Sequence, residues 1–309
     1  MLPNAVPASF LLEYATQLKN IDGFSEQCVS HSGADWSFST EWQEFSLGGS
    51  RRTWGWTVGQ RIEMLLLEMQ LEREWLHPLL VLDAGCGNGL MIDAVGALGA
   101  TAIGIDFSTG VFEAEARRQS SKTHFVRGDI RNPPFEPEQF DLIYAHGVLH
   151  HTPNPQRSFS AVARLVKNQG RLFVWLYRWT RHPKFFSLQL FSELVRPIAS
   201  RAPKVLQAVI TRSYAAVQYG LLQLIGGGRS RSTYSELIVY AYDSFTPRWV
   251  HRQSPIEVAS WFFECGFGPP SLTHWDNPTG FGLLAEKKQQ RDTPGLNFGR
   301  QTITRRFVH

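Results

Sequence analysis

The sequence has 309 residues, of which 43% are hydrophobic and 19% are charged. This composition is typical of a globular chain that can bury a core. The formal net charge of +4 is modest, and neither a transmembrane helix nor a signal peptide is predicted. The three cysteines lie far apart, which favours a reducing, cytoplasmic environment over a disulfide framework.

The first segment, residues 1–75, is rich in tryptophan. Five of the ten tryptophans lie in it, among them Trp54 and Trp56. We predict that the segment covers the rest of the chain. Trp54 and Trp56 then either line a substrate pocket or hold the segment down by packing.

A nucleotide-binding core is predicted over residues 76–180. It begins with LLVLDAGCGNG, an apolar run that ends in Asp83 and passes into a turn with Gly85, Gly87 and Gly89. The following LMIDAVGALGA has helical apolar spacing, so the pattern indicates strand, glycine turn and helix. Glycines let a ligand approach bare backbone, and the amides at the helix start offer it donors.

Four further strands are predicted along this core. They are TAIGIDFS, with Asp106 near its end; THFVRGDI, with Asp129 near its end; FDLIYAHG; and GRLFVWLY. The alternation of strands and helices predicts an α/β fold with a doubly wound, mostly parallel sheet. Both acids would lie at carboxyl ends of strands, where such sheets bind ligands, and Asp106 suits the two ribose hydroxyls of an adenosine group.

Taken together, VLDAGCGNG, GIDFS, VRGDI, FDLIYAHGVLHHTPNP and LVKNQGRLFVWLY resemble the successive motifs of class I S-adenosylmethionine-dependent methyltransferases. The likeness is to the bacterial group related to ubiquinone and menaquinone biosynthesis methyltransferases, and it covers roughly residues 79–177. It implies a Rossmann-like sheet of seven mostly parallel strands, with S-adenosyl-L-methionine as the cofactor.

The resemblance also implies roles for the matching residues. The glycine turn would pass under the methionine and ribose parts of the cofactor, Asp106 would hold the ribose hydroxyls, and Asp129 would accept from the adenine amino group. Helix capping is the alternative for both acids. The cofactor-binding candidates are Asp83, Gly85, Cys86, Gly87, Gly89, Asp106, Phe107, Asp129, Ile130 and His146.

Three histidines, His146, His150 and His151, follow the fourth strand and are the catalytic candidates. The resemblance places His146 beside the cofactor. Of the other two, one is expected to be a buried packing residue and the other to reach the acceptor pocket as a base, and the sequence does not decide which. Since no acid–histidine cluster accompanies them, and no CxxC or HExxH spacing occurs, we expect no metal site.

Residues 181–250 interrupt the passage from the fifth to the sixth strand. They predict two or three amphipathic helices, broken at Pro197, at Pro203 and at residues 226–228. Residues 178–252 contain eleven Lys and Arg against three Asp and Glu. We predict a basic helical lid, which either walls an apolar pocket or rests on an anionic membrane surface. A solvated basic face is the plain alternative.

The end of this insertion resembles a D-x-F-x-P-R-like stretch that lies near the acceptor in the related group. It implies substrate contacts for Tyr242, Asp243, Phe245, Arg248 and Trp249, with a structural loop fixed by Pro247 as the alternative.

The rest of the chain is predicted to complete the sheet over residues 251–290. A helix begins there at Ser254, with Pro255 at its first position and Glu257 three after the cap. Two antiparallel strands follow, and residues 291–309 form a polar tail.

The function predicted from all these features is S-adenosylmethionine-dependent methylation of oxygen or carbon on a small, lipophilic acceptor. A nicotinamide-dependent oxidoreductase and a non-catalytic adenosyl-binding protein are the alternatives. The glycine spacing G-x-G-x-G disfavours the oxidoreductase. A nucleic-acid partner is not expected, because the basic segment is interleaved with apolar helices rather than with stacking aromatics.

Overall fold

The computed structural model describes residues 38, 52–53, 56–180, 182–225, 233–273 and 278–289. Its strands are β1 Arg52–Thr53, β2 Trp56–Thr57, β3 Leu80–Ala84, β4 Thr101–Asp106, β5 Thr123–Arg127, β6 Phe140–His146, β7 Val166–Tyr177, β8 Ser271–Leu272 and β9 Gly280–Glu286. Its α-helices are α1 Val58–Met69, α2 Leu90–Ala97, α3 Gly110–Arg117, α4 Pro155–Ala163, α5 Pro183–Ala199, α6 Lys204–Ile225, α7 Tyr234–Phe245 and α8 Pro255–Glu264.

One seven-stranded sheet organises the fold, in the order β5-β4-β3-β6-β7-β9-β8. The first five strands in this order pair in parallel, and β9 pairs antiparallel with both β7 and β8. The strand order reverses between β3 and β6, and such a switch point forms a crevice at the carboxyl ends of the strands. The predicted doubly wound, mostly parallel sheet is therefore confirmed, as is the antiparallel closing pair.

Two apolar layers cover the two faces of the sheet. On one face α4 and α8 bury Phe159, Trp261 and Phe262 against the strands. On the other face α1 and α2 bury Leu65 and Met69 with their neighbours. Helix α1 thus belongs to a core layer, although the sequence assigned its residues to an aromatic cover. The division into segments stays a prediction, and most of residues 1–55 lies outside the described part.

Three helices, α5, α6 and α7, lie between β7 and the last strand pair, inside the predicted insertion. The predicted break at Pro197 is wrong, because α5 continues through this proline to Ala199. Ala199 is fully buried beside Ala241 and Phe245. That burial keeps the last turn helical, although the proline nitrogen has no hydrogen to donate.

Helix starts follow the local sequence closely. Asn154 caps α4, accepting from Arg157 N, and Pro155 occupies the first turn. Ser254 and Glu257 form the predicted capping box at the start of α8. None of the helices in the described part of the chain has the length and apolarity needed to cross a bilayer.

Candidate active site

A cavity of about 700 Å³ opens at the carboxyl ends of β3, β4, β6 and β7. The glycine turn after β3 forms one end of its wall, and side chains of α5, α6 and α7 form the other. Its size is within the range of small-molecule sites in proteins. The helices of the insertion thus line the same space as the strand ends.

The glycine turn is held by the neighbouring strand. Gly85 N and Cys86 N both donate to Ile105 O, at 2.7 and 3.1 Å. Gly85, Gly87 and Gly89 have φ values of 89°, 55° and 74°, in the left-handed region that favours glycine. A Cβ at Gly85 would lie 2.4 Å from Val148 Cγ2. This close packing against Val148 is a second reason for glycine at position 85. Of the three glycines, only Gly85 is among the cavity-lining residues.

Asp106 joins this turn to β4 and also lines the cavity. Its Oδ2 accepts from Gly87 N and its Oδ1 from Ser108 N, both at 2.9 Å. Burial raises the pKa of Asp106, and the hydrogen bonds from Ser108 and Gly87 act in the opposite direction. The bond to Ser108 is a local turn rather than a helix cap, because α3 begins only at Gly110.

Asp83 and Asn88 bring two more polar side chains to the cavity wall. Burial and the nearby charge of Asp106 raise the pKa of Asp83 to about 7. The Nδ2 atom of Asn88 is buried, and no acceptor among the described residues lies within hydrogen-bonding distance of it. A buried amide donor without a partner is costly unless a ligand supplies one.

The other cofactor candidates also line the cavity, namely Cys86, Phe107, Asp129 and Ile130. Asp129 accepts from Arg131 N at 2.8 Å and from Arg131 Nε at 2.7 Å. Its carboxylate therefore already has a cationic partner within the loop.

His146 ends β6 and lies on the cavity wall. Its ring stacks on Trp175 at a centroid distance of 4.9 Å. Its Nε2 lies 3.9 Å from Oε1 of Glu68, a buried residue of α1. The Tyr144 hydroxyl donates to Glu68 Oε2 at 2.8 Å. Burial raises the pKa of Glu68 to about 8, although Tyr144 and Arg61 act in the opposite direction.

His150 is a packing residue, which corrects its place among the catalytic candidates. Its side chain is fully buried and does not line the cavity. Its ring stacks on Tyr177 at 3.9 Å, and neither ring nitrogen has a hydrogen-bond partner among the described residues. Burial lowers the pKa of His150 well below its usual range, helped by the charges of His151 and His146, so the ring is neutral.

His151 does reach the cavity, but both of its ring nitrogens are engaged. Nδ1 lies 3.2 Å from the carbonyl oxygen of Trp249, and Nε2 lies 3.2 Å from Asp243 Oδ1. Tyr177 donates to Asp243 Oδ2 at 2.6 Å. Burial raises the pKa of Asp243, but the contacts with His151, Tyr177 and Arg196 outweigh burial and bring it below its usual range. This cluster joins the core to the insertion.

The predicted substrate residues separate into two groups. Phe245 and Trp249 line the cavity. Tyr242 is instead buried among Ala215, Leu237 and Ile238, because it faces α6 rather than the strand ends. Arg248 is exposed and its guanidinium lies over the Trp249 ring at 5.0 Å. The structure therefore contradicts cavity contacts for Tyr242 and Arg248.

Trp54 lies outside the described residues, and of Trp56 the structure describes only the backbone in β2. Their proposed substrate contacts stay predictions. Within the described ranges, no group of three or more His, Cys, Asp and Glu side chains is placed to hold a metal ion.

Several cavity residues were missed by the sequence reasoning. They are Arg61 and Met64 of α1, Gln189, Ser192 and Arg196 of α5, Tyr214 and Gln218 of α6, and Arg252. They lie on helices distant in sequence from the glycine turn, and no local motif marks them.

Comparison with known proteins supports the resemblance seen in the sequence. Residues 82–174 match a family model described as a methyltransferase domain. A ubiquinone biosynthesis O-methyltransferase of Coxiella burnetii is 31% identical over 115 residues, which are 36% of this chain and 48% of that protein. The protein of the same name from Dechloromonas aromatica is 34% identical over 110 residues, 34% of this chain and 47% of that protein. The chain thus spans about half the length of these relatives.

Solved structures share the fold. Magnesium protoporphyrin IX methyltransferase from Synechocystis PCC 6803, with bound SAH, has a TM-score of 0.50 at 18% identity and covers 82% of this chain and 98% of its own. The putative methyltransferase of Haloferax volcanii, in complex with a methyltransferase activator, has a TM-score of 0.50 at 13% identity and covers 84% and 99%. The predicted resemblance to class I S-adenosylmethionine-dependent methyltransferases, with their Rossmann-like sheet, is confirmed.

We expect Glu68→Gln to weaken the dependence of stability on pH. The folded-state pKa of about 8 exceeds the unfolded value of about 4.3, so the folded protein retains a proton that the unfolded chain releases. The contribution of Glu68 to stability is complete below about pH 4, falls as the pH rises, and is lost above about pH 8. The free energy of unfolding, measured in urea at several pH values between these limits, should decline less steeply in the variant.

The matched control for this experiment is Glu63→Gln, which changes an exposed carboxylate on the same helix. It should leave the pH slope of the unfolding free energy unaltered. Equal slopes in Glu68→Gln and the unmodified chain would show that Glu68 does not hold a proton in the folded state.

Proposed function

We propose that this chain, whose residues 82–174 match a methyltransferase domain, transfers a methyl group from S-adenosyl-L-methionine to a small acceptor. One observation carries the proposal. Acidic residues lie at the carboxyl ends of three neighbouring parallel strands, with Asp83 just before the end of β3, Asp106 at the end of β4 and Asp129 just after β5, and all three line one cavity beside a glycine turn. This arrangement supports the binding of an adenosyl group at the carboxyl edge of the sheet.

The residues of the chain suit that cofactor. Asp106 would hold the ribose hydroxyls while it braces the glycine turn, and Asp129 and Ile130 would meet the adenine. The unpartnered Asn88 amide and the buried Asp83 would meet the polar atoms of the methionine part. When bound, the cofactor supplies a methyl group on a sulfonium that is already activated for transfer.

The work left to the protein is to align the acceptor in a dry pocket and, where needed, to take its proton. His151 is ill placed as that base, because both of its nitrogens contact acceptors of the chain. His150 is buried away from the cavity. His146 remains the candidate, since its ring lies on the cavity wall, stacked against Trp175 and Tyr144.

The acceptor side of the cavity supports a lipophilic acceptor. Leu222, Leu237, Tyr240, Phe245 and Trp249 contribute to its wall there. Apolar and aromatic walls favour ligands that bury apolar surface. The methyl group is transferred to an oxygen or carbon of this acceptor, and no observation favours the oxidoreductase alternative.

We further propose contact between the insertion and an anionic membrane surface. Large apolar side chains are exposed along α5 and α6 in a part of the chain that is rich in Arg and Lys. The most exposed are Leu194, Ile198, Val205, Val217 and Leu224. Exposed apolar side chains flanked by basic residues suit the interface of a bilayer with anionic lipids. The cytoplasmic location predicted from the cysteines is compatible with contact at an inner membrane face.

Asp106→Ala should weaken the binding of S-adenosylmethionine at least tenfold. The substitution removes two charge-assisted hydrogen bonds to ribose, each contributing roughly 1.5–3 kcal/mol, and it also frees the glycine turn. Isothermal titration calorimetry measures the affinity. Asp93→Ala is the control, since Asp93 accepts from Gln119 N on the outside of the molecule. Unchanged affinity in a folded Asp106→Ala protein would refute the assignment.

His146→Ala and His150→Ala should differ in what they damage. Loss of the His146 ring at the cavity wall should lower the affinity for S-adenosylhomocysteine by about tenfold, with little change in stability. Loss of the buried His150 ring should cost roughly 2–4 kcal/mol of stability while the affinity persists. Calorimetry and urea unfolding measure both quantities. A His146→Ala protein that is destabilised but binds normally would make His146 a packing residue.

The membrane proposal is tested by flotation with vesicles of phosphatidylglycerol and of phosphatidylcholine. The chain should float only with the anionic vesicles, and the double change Leu194→Asp and Ile198→Asp should abolish flotation. Ile256→Asp is the control, because Ile256 is 84% exposed on α8, outside the insertion. Absence of binding to either vesicle would leave the insertion as a pocket wall alone.

A further inference from the structure

Two buried arginines share one carboxylate on the insertion side of the cavity. Arg196 of α5 donates to Glu193 Oε1 at 2.6 Å, to Ser244 O at 3.0 Å and to Ser192 Oγ at 3.3 Å. Arg252, which follows α7, donates to the same Glu193 oxygen. The side chains of both arginines are 7% exposed, and both line the cavity.

Glu193 is the one carboxylate among the described residues to which these two arginines donate. Burial raises the pKa of Glu193, but its hydrogen bonds with Arg196 and Arg252 bring it below its usual range, so it is a single negative charge. Asp243 is the other anion. Both of its carboxylate oxygens are engaged away from the arginines, since Oδ1 contacts His151 Nε2 and Oδ2 accepts from Tyr177. Burial lowers the pKa of His251, so this ring adds no charge.

The two buried arginines therefore share a single carboxylate, and the Nε atom of Arg252 is buried without a hydrogen-bond acceptor among the described residues. A buried ion without a partner is strongly unfavourable, and the cost is relieved when a second ion and its hydrogen bonds complete the pair. A bound anion would serve that purpose in this cavity. Because Glu193 already pairs with both arginines, a ligand with one negative charge, such as a carboxylate, completes the set better than a phosphate, which carries nearly two charges at neutral pH.

Arg252 is the arginine with capacity left for a ligand. Among the described residues, its one hydrogen-bond acceptor is Glu193, and its guanidinium lies over the Trp179 ring at 4.5 Å from the centroid. These two contacts fix the plane of the guanidinium without using all of its donors. A planar, oriented guanidinium matches the two oxygens of a carboxylate.

We infer that the methyl acceptor is a lipophilic carboxylic acid whose carboxylate pairs with Arg252, beside Arg196, on the insertion side of the cavity. That this acid receives the methyl group rests on the proposed function. The binding of the acid at Arg252 does not require methyl transfer. The aromatic side chains of Tyr214, Phe245 and Trp249 line the same cavity and would bury the apolar body of the acid. The group that receives the methyl is then distinct from the carboxylate that anchors the molecule.

The test compares two probes of the same shape, 4-phenylbutanoate and its neutral amide 4-phenylbutanamide. Their affinities for the full chain are measured by ligand-observed NMR titration, with and without saturating S-adenosylhomocysteine. The acid should bind at least tenfold more tightly than the amide. In Arg252→Gln this preference should disappear, in Arg252→Lys it should be partly retained, and affinity for S-adenosylhomocysteine should be unchanged in both.

Arg248→Gln is the matched control, because Arg248 is an exposed arginine four residues earlier that does not line the cavity. It should keep the full preference for the acid. Equal binding of acid and amide by the unmodified chain, no binding of the acid, or a preference that persists in a folded Arg252→Gln protein would each overturn the inference. If Arg252→Gln does not fold, the comparison of acid and amide on the unmodified chain still decides it. If the unmodified chain prefers the acid but does not bind S-adenosylhomocysteine, that result would count against the proposed function alone.

Discussion

The carboxylate of Asp106 is the contact on which the site depends. It accepts from Gly87 in the turn after β3 and from Ser108 in the turn after β4, so one side chain fixes two adjacent loops. The turn held in this way places Gly85 against Val148, where a Cβ has no room. Val148 in turn precedes the short helix that carries His150 and His151. The strand ends and the histidine segment are thus positioned by one chain of close contacts.

The cavity has two electrostatically different sides. The strand ends contribute Asp83, Asp106 and Asp129, while the insertion side contributes Arg196, Arg252 and the His151–Asp243 pair. Burial keeps the first side from carrying its full negative charge, since the pKa of Asp83 is raised to about 7. A ligand with a cationic sulfonium and ammonium suits the acidic side, and an anionic partner suits the basic side. The proposed cofactor and the inferred acid therefore complement opposite sides of one cavity.

Local chemistry made much of this fold predictable. The Ser254–Glu257 capping box and the glycine turn follow from residues within a few positions of each other, and a doubly wound, mostly parallel sheet follows from the alternation of strands and helices. Contacts between distant segments were not predictable in this way. Glu68 contacts Tyr144, which is 76 residues away in the sequence, and no motif near either residue predicts this contact. Pro197 shows the converse case, because tertiary burial of Ala199 overrides a strong local signal for a helix end.

The three histidines show why a motif restricts roles without assigning them. They lie within six positions of each other, yet His146 ends a strand at the cavity wall, His150 is stacked on Tyr177 in the core, and His151 is paired with Asp243 of the insertion. A buried polar contact gives little net stability, because desolvation offsets its attraction, but losing one partner is costly. The His151–Asp243 pair therefore does more to fix the position of α7 over the strand ends than to stabilise the fold. Helix α7 is thus held at the cavity by a directional polar contact, while α5 and α6 expose large apolar side chains on the outside.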